Sequence, residues 1–213
     1  MDLETDDAIA PPSHTIPLDR AVVLVRAPLE AVLAALEPFA GGAPRDLMGD
    51  LERGLGLDER ALGEQRAIVY EPRGAAYTGI IREGVPGEVH DVPLARRLSK
   101  ELGTPAVALH VSARDVTYEL FHGGRSLESW LCLSGELICA ESAFELDPRA
   151  VARDPYGRAL AILGGYGFED DRLSFEDFAR GDLLLRRWDV TLGRCLGYAA
   201  LAAWPREELC VGG

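Results

Sequence analysis

Apolar and polar residues alternate with a period of two through residues 115–145, and glycines break the alternation twice. The breaks are Gly123-Gly124, between 115–122 and 125–134, and Gly135-Glu136, before 137–145. Gly-Gly suits a type I′ hairpin turn and Gly-X a type II′ turn. The spacing therefore predicts a three-stranded antiparallel meander. With these turns Glu119 falls opposite Glu128, Tyr118 opposite Ser129, Leu120 opposite Leu127, Leu133 opposite Ile138 and Cys132 opposite Cys139. Side chains alternate between the two faces of a strand. One predicted face collects Val116, Tyr118, Leu120, Leu127, Ser129, Leu131, Leu133, Ile138, Ala140, Ser142 and Phe144, and is read as core. The other collects Thr117, Glu119, Phe121, Ser126, Glu128, Trp130, Cys132, Cys139, Glu141, Ala143 and Glu145, and is acidic with two aromatics. A slip of one residue at either turn would scramble this separation.

The rest of the chain reads as short elements. Residues 22–25 form an apolar strand, and Pro28 opens a helix with Leu29, Val32, Leu33 and Leu36 on one stripe, ended near Pro38. Residues 40–64 read as loop with one weak helix near 46–53, and 84–87 as loop. Residues 66–70 and 76–82 read as strands paired around 72–74. Asp91 caps a helix over 92–102 that Gly103 ends, and 105–111 is a strand. Asp154-Pro155 starts a helix stopped by Gly164-Gly165, Ser174 starts a short helix, and 183–190 is a strand. Residues 192–204 are apolar and alanine-rich and read as a helix, although Gly193 and Gly197 oppose it. The expected fold class is α+β, an antiparallel sheet built on a central meander at about 115–145 with helices mainly on one face. Residues 1–18 read as a flexible acidic arm and 19–213 as a single domain.

Composition narrows the function classes. The chain has 213 residues, 47% of them hydrophobic and 27% charged, which is ordinary for a globular domain. Its formal charge of -13 disfavours broad phosphate contact, so neither nucleic acid nor an anionic membrane is an expected partner. A basic protein partner fits the charge better. Lys100 is the sole lysine and Asn is absent, a bias read as that of a GC-rich bacterial genome. The acidic first residues do not resemble a signal peptide, and no apolar run approaches the roughly 20 residues of a membrane span, so a cytoplasmic location is expected. Four cysteines, Cys132, Cys139, Cys195 and Cys210, lack the density of a disulfide scaffold and are expected to be reduced.

Motifs for chemistry are sparse. Gly164-Gly165-Tyr166-Gly167 lacks the spacing of a dinucleotide loop. His122-Gly123-Gly124 has no accompanying G-x-S-x-G elbow, and a hairpin turn explains its glycines. His14, His90, His110 and His122 form no ligand pair, so no metal, cofactor or catalytic residue is assigned. Cys132 and Cys139, if directly opposite, would form a strained redox clip or remain two small strand residues. Glu169-Asp170-Asp171 and Arg186-Arg187-Trp188 read as a solvated charge run and a strand end.

The acidic meander face is the best functional lead. Glu119 and Glu128 form a like-charge pair, Glu141 lies opposite Trp130, and Phe121 supplies a second aromatic. Three readings stand: a solvated face, a face covered by a helix or an arginine of this chain, or a docking site. In the last, Glu119, Glu128 and Glu141 meet a basic partner while Trp130 and Phe121 anchor it. The expected function is a non-enzymatic, immunity- or adaptor-like binding or neutralising protein. In charge and size the chain resembles bacterial immunity proteins that block basic toxins, a likeness that transfers no residue. The alternatives are a small hydrolase using the Glu119/Glu128 pair, and a structural subunit with an apolar patch around 192–204.

Overall fold

The computed structural model describes residues 20–39, 43–47, 49, 53, 67–72, 74–82, 91–111, 115–134, 136–144, 147–153, 155–168 and 192–198. The predicted arm at 1–18, the loop at 84–87, the helix at Ser174, the strand at 183–190 and the charged runs at 169–171 and 186–188 lie outside these residues. So does most of the predicted helix at 46–53. There, the Gly49 N–H donates to Asp46 Oδ1 at 2.9 Å and the Arg53 N–H to the Gly49 carbonyl at 3.1 Å, as in a capped helical turn.

Residues 22–25, 67–70 and 105–109 are each buried without interruption. Strands apolar on both faces need cover on both sides, and this dictates the layering. The strands are β1 (Arg20–Val25), β2 (Arg45–Asp46), β3 (Ala67–Pro72), β4 (Thr78–Arg82), β5 (Pro105–Val111), β6 (Val116–His122), β7 (Arg125–Leu133), β8 (Glu136–Ser142) and β9 (Leu192–Tyr198). Among the described residues they form one sheet in the order β2-β9-β3-β4-β1-β5-β6-β7-β8, with every neighbouring pair antiparallel. The fold is α+β. The β6-β7-β8 run stands at one end of this sheet rather than at its centre.

The helices are α1 (Leu29–Leu36), α2 (Asp91–Leu102), α3 (Pro148–Arg153) and α4 (Pro155–Gly165), with a 3-10 turn at Glu37–Phe39. They do not gather mainly on one face. Leu29, Val32 and Leu36 of α1 pack with Leu94, Ala95 and Leu98 of α2 over Val23, Val25, Ala67, Val69, Ala106 and Phe121. Val151 of α3 and Ala159 and Leu163 of α4 pack on the opposite face, over Leu24, Val107, Tyr118, Leu120 and Trp130. Both α2 and α4 close with a glycine in the left-handed region. Gly103 has φ 62° with the Thr104 N–H donating to the Ser99 carbonyl, and Gly167 has φ 80° with the Phe168 N–H donating to the Leu163 carbonyl.

Residues 192–198 form β9, not the expected helix. The strand is inserted between β2 and β3 and pairs with both. Its ladder with β3, running from Ala67↔Tyr198 to Glu71↔Arg194, supplies the backbone partners that hold these residues extended, and the remaining 199–204 of the expected helix lie outside the described residues. Leu196 is buried and belongs to the core instead of to an apolar surface patch. Arg194 of β9 is paired with Glu30 of α1, which raises the guanidinium's proton affinity further.

Candidate functional site

The first hairpin turn begins as its glycines dictate: Gly123 and Gly124 have φ 58° and 78°, and His122 pairs with Arg125. Helix α2 holds the turn, with Arg96 Nε donating to the Gly124 carbonyl at 3.2 Å and the Gly124 N–H donating to Ser99 Oγ at 3.3 Å. A Cβ on Gly124 would stand 2.8 Å from Lys100 Cβ, so only glycine permits this approach.

Two residues past the turn the ladder slips. Phe121 pairs with Ser126, but Leu120 pairs with Glu128, which leaves Leu127 as the extra residue of a β-bulge. From there inward Glu119 faces Ser129, Tyr118 faces Trp130 and Val116 faces Cys132. The expected Glu119–Glu128, Tyr118–Ser129 and Leu120–Leu127 pairings are each displaced by one residue. In the second hairpin Leu133 pairs with Glu136 rather than with Ile138, and Ser134 has φ 52°. A second irregularity follows, and Leu131 faces Cys139 while Cys132 faces Leu137. Cys132 and Cys139 therefore do not oppose one another: Cys132 is buried, Cys139 is exposed, and both are free thiols.

Because side chains alternate, the first slip exchanges the faces of β7. Glu128, Trp130 and Cys132 turn into the core beside Tyr118 and Leu120, whereas Ser129 and Leu131 turn outward. The gain is a large aromatic contact: the Tyr118 and Trp130 rings stack with centroids 4.1 Å apart and planes 19° from parallel. Leu127, at the bulge, still packs against the same cluster.

The five residues read from the sequence as one face are thus divided. Glu128 and Trp130 lie inside, under α4. Phe121 is buried on the other face, with α2. Glu119 and Glu141 remain on the α2 side, in one cross-strand row that runs Glu119, Ser129, Glu141. The two carboxylates expected to pair, Glu119 and Glu128, stand on opposite faces of the sheet and do not converge on one substrate.

Burial raises Glu119 above the ordinary carboxylate range. A hydrogen bond from Ser126 and the nearby Arg96 oppose the shift, and the Glu141 charge adds to it. Helix α2 packs chiefly on β1, β5 and β6, so β7 and β8 extend past its cover on this side. Ser129 and Leu131 are half-buried there, and Cys139 and Glu141 are exposed.

Glu128 is the more unusual group. Its side chain is 0% exposed and meets Arg158 of α4, with Arg158 Nη2 3.3 Å from Glu128 Oε1. Ser142 Oγ donates to the same oxygen at 3.2 Å. Burial pushes the carboxyl above its usual range despite both contacts. Glu128 Oε2, Arg158 Nε, Tyr118 Oη and Trp130 Nε1 are buried and meet no hydrogen-bond partner among the described residues. Each such group costs about 1–3 kcal/mol. Burial, followed by the Glu128 charge, also drives the Tyr118 hydroxyl strongly up. The cluster joins β6, β7, β8 and α4, and it anchors the helix through a single-oxygen ion pair. Sequence periodicity missed Arg158 because it sits 30 residues from Glu128 on another element.

Among the described residues no three His, Cys, Asp or Glu side chains are grouped to hold a metal ion, and no helix is long and apolar enough to cross a membrane. No known protein family, curated protein or solved structure matches the chain.

Proposed function

We propose that this chain is a non-enzymatic binding or neutralising protein of the cytoplasm, immunity- or adaptor-like, whose acidic β7–β8 margin engages a basic protein partner. The observation that carries this reading is the placement of exposed apolar surface. Among the described residues the exposed large hydrophobic side chains are Leu133, Ile138 and Phe144, at 41%, 56% and 40%, and all three lie on or beside β8. Glu136 and Glu141 are exposed on the same strand. Exposed apolar side chains rimmed by polar groups mark a recognition surface. From Ser129 to Asp147 the chain holds Glu136, Glu141, Glu145 and Asp147 and no Lys or Arg, and the formal charge of the whole chain is -13. Both features select a cationic partner.

The test is affinity capture from the native host, identification of the captured protein by mass spectrometry, and titration of the purified pair. The partner is expected to be basic. Replacing Glu119, Glu136 and Glu141 together by glutamine is expected to weaken the complex by about tenfold or more and to flatten its salt dependence. Unchanged affinity and salt slope contradict the reading. Glu128 and Trp130 are left out of this set because both are buried.

A further inference from the structure

We propose that the basic partner is captured by strand addition, an extended segment pairing with the outer edge of β8 and lengthening the sheet. This rests on the binding reading above and adds its mode. Among the described residues β8 pairs only with β7 and closes one end of the sheet. Its outer row of backbone N–H and C=O groups is a template for another strand. The opposite end is β2, with only 2 residues, too short to serve.

Strands that must stay unpaired carry blocking features such as proline, edge charges and bulges. The seven residues of β8, ELICAES, hold no proline or lysine, and their ladder irregularity lies at Ile138. Their charges, Glu136 and Glu141, are both acidic and so block a neutral or acidic strand rather than a basic one. Ile138 and Cys139 are exposed in the middle of the strand, between Glu136 and Glu141. From Cys139 to Ser142, past the irregularity at Ile138, the ladder with β7 is regular, and this is the run offered to another strand.

Charge selects the occupant. The row Glu119, Ser129, Glu141 runs across three strands and ends on β8. A fourth strand continues that row, and a Lys or Arg at the next position pairs with Glu141. The occupant is therefore an extended segment alternating basic with apolar residues. A second copy of this chain would bring Glu136 and Glu141 against their own counterparts under a formal charge of -13 on each copy.

The experiment titrates the full chain with three nine-residue peptides: one alternating Lys and Val, the same peptide with every backbone N–H methylated, and one alternating Glu and Val. Amide hydrogen exchange is followed at 136–142 and, as a control, at 45–46. The Lys/Val peptide is expected to bind and to slow exchange on β8 alone. The methylated and Glu/Val peptides are each expected to bind about tenfold more weakly or worse. Equal binding of the methylated peptide overturns strand addition while leaving charge-driven binding intact. Absence of binding by the Lys/Val peptide also overturns it, and the glutamine substitutions above then judge the binding reading separately. Protection of β8 that grows with protein concentration in the absence of peptide identifies a second copy as occupant and overturns the proposal.

Discussion

Tyr118 and Trp130 face each other across β6 and β7, stacked at 4.1 Å, and both rings are fully buried. This pair sits where the slipped ladder delivers it, and it dominates the local core. Trp130→Ala is expected to cost about 3–5 kcal/mol, read from urea denaturation. Tyr118→Phe behaves differently, because the hydroxyl meets no partner among the described residues. Its removal is expected to be neutral or to stabilise by up to about 1 kcal/mol. A clear loss of stability in Tyr118→Phe would show that the hydroxyl is engaged.

The Glu128–Arg158 pair gives a second prediction. Arg158→Ala leaves a fully buried carboxylate without its counter-charge and is expected to cost about 3 kcal/mol. Adding Glu128→Gln to that variant is expected to restore part of the loss, since the orphaned charge is gone. A double-mutant cycle by chemical denaturation measures the coupling, and a coupling near zero contradicts the pairing.

Acidification provides a third test. Burial holds the Glu128 carboxyl above its ordinary range, so its ionised form is disfavoured in the fold. The resulting loss of stability is fully present above the raised value and disappears as pH falls through it toward the unfolded value of about 4.3. Glu128→Gln removes this penalty at every pH. Its stability relative to the unsubstituted chain is therefore expected to be highest near neutrality and to decline as pH is lowered from about 7 to about 4. A difference that instead grows on acidification would mean that the carboxylate, not the acid, is the form the fold favours.

Gly79 tests the sheet's other half. It pairs with Tyr70, and a Cβ at this position would stand 2.1 Å from the Tyr70 ring. Gly79→Ala is expected to destabilise by about 1–3 kcal/mol through overpacking, measured as a shift in urea midpoint. Tolerance without loss would show that the ring does not lie over the glycine.

Local signals in the sequence marked the elements well where one face, one cap or one turn decided them. Of the stripe Leu29, Val32, Leu33 and Leu36, Leu33 is half-buried and the other three are buried, and Gly103 ends its helix in a left-handed conformation. Asp147-Pro148 is a further local start signal: the Arg149 N–H donates to Asp147 Oδ1 at 2.9 Å, opening α3. What remained hidden was non-local. β9 is a strand because β2 and β3 flank it, and neither neighbour is visible in the pattern of 192–204. The bulge at Leu127 is likewise fixed by packing, since Trp130 fills the core beside Tyr118 and Glu128 reaches Arg158 from the inner face. Glycine chemistry located the bend of the hairpin but not this extra residue. Glu119 and Glu141 therefore stay together as read, while Glu128, Trp130 and Phe121 leave the proposed surface.

The functional surface depends on which residues β7 turns outward, and NMR reads that directly. In an isotope-labelled sample, cross-strand backbone NOEs are expected between Leu120 and Glu128, Glu119 and Ser129, and Tyr118 and Trp130. NOEs joining Glu119 to Glu128 and Tyr118 to Ser129 would contradict the bulged ladder, return Glu128 and Trp130 to the exposed face and dissolve the buried carboxylate.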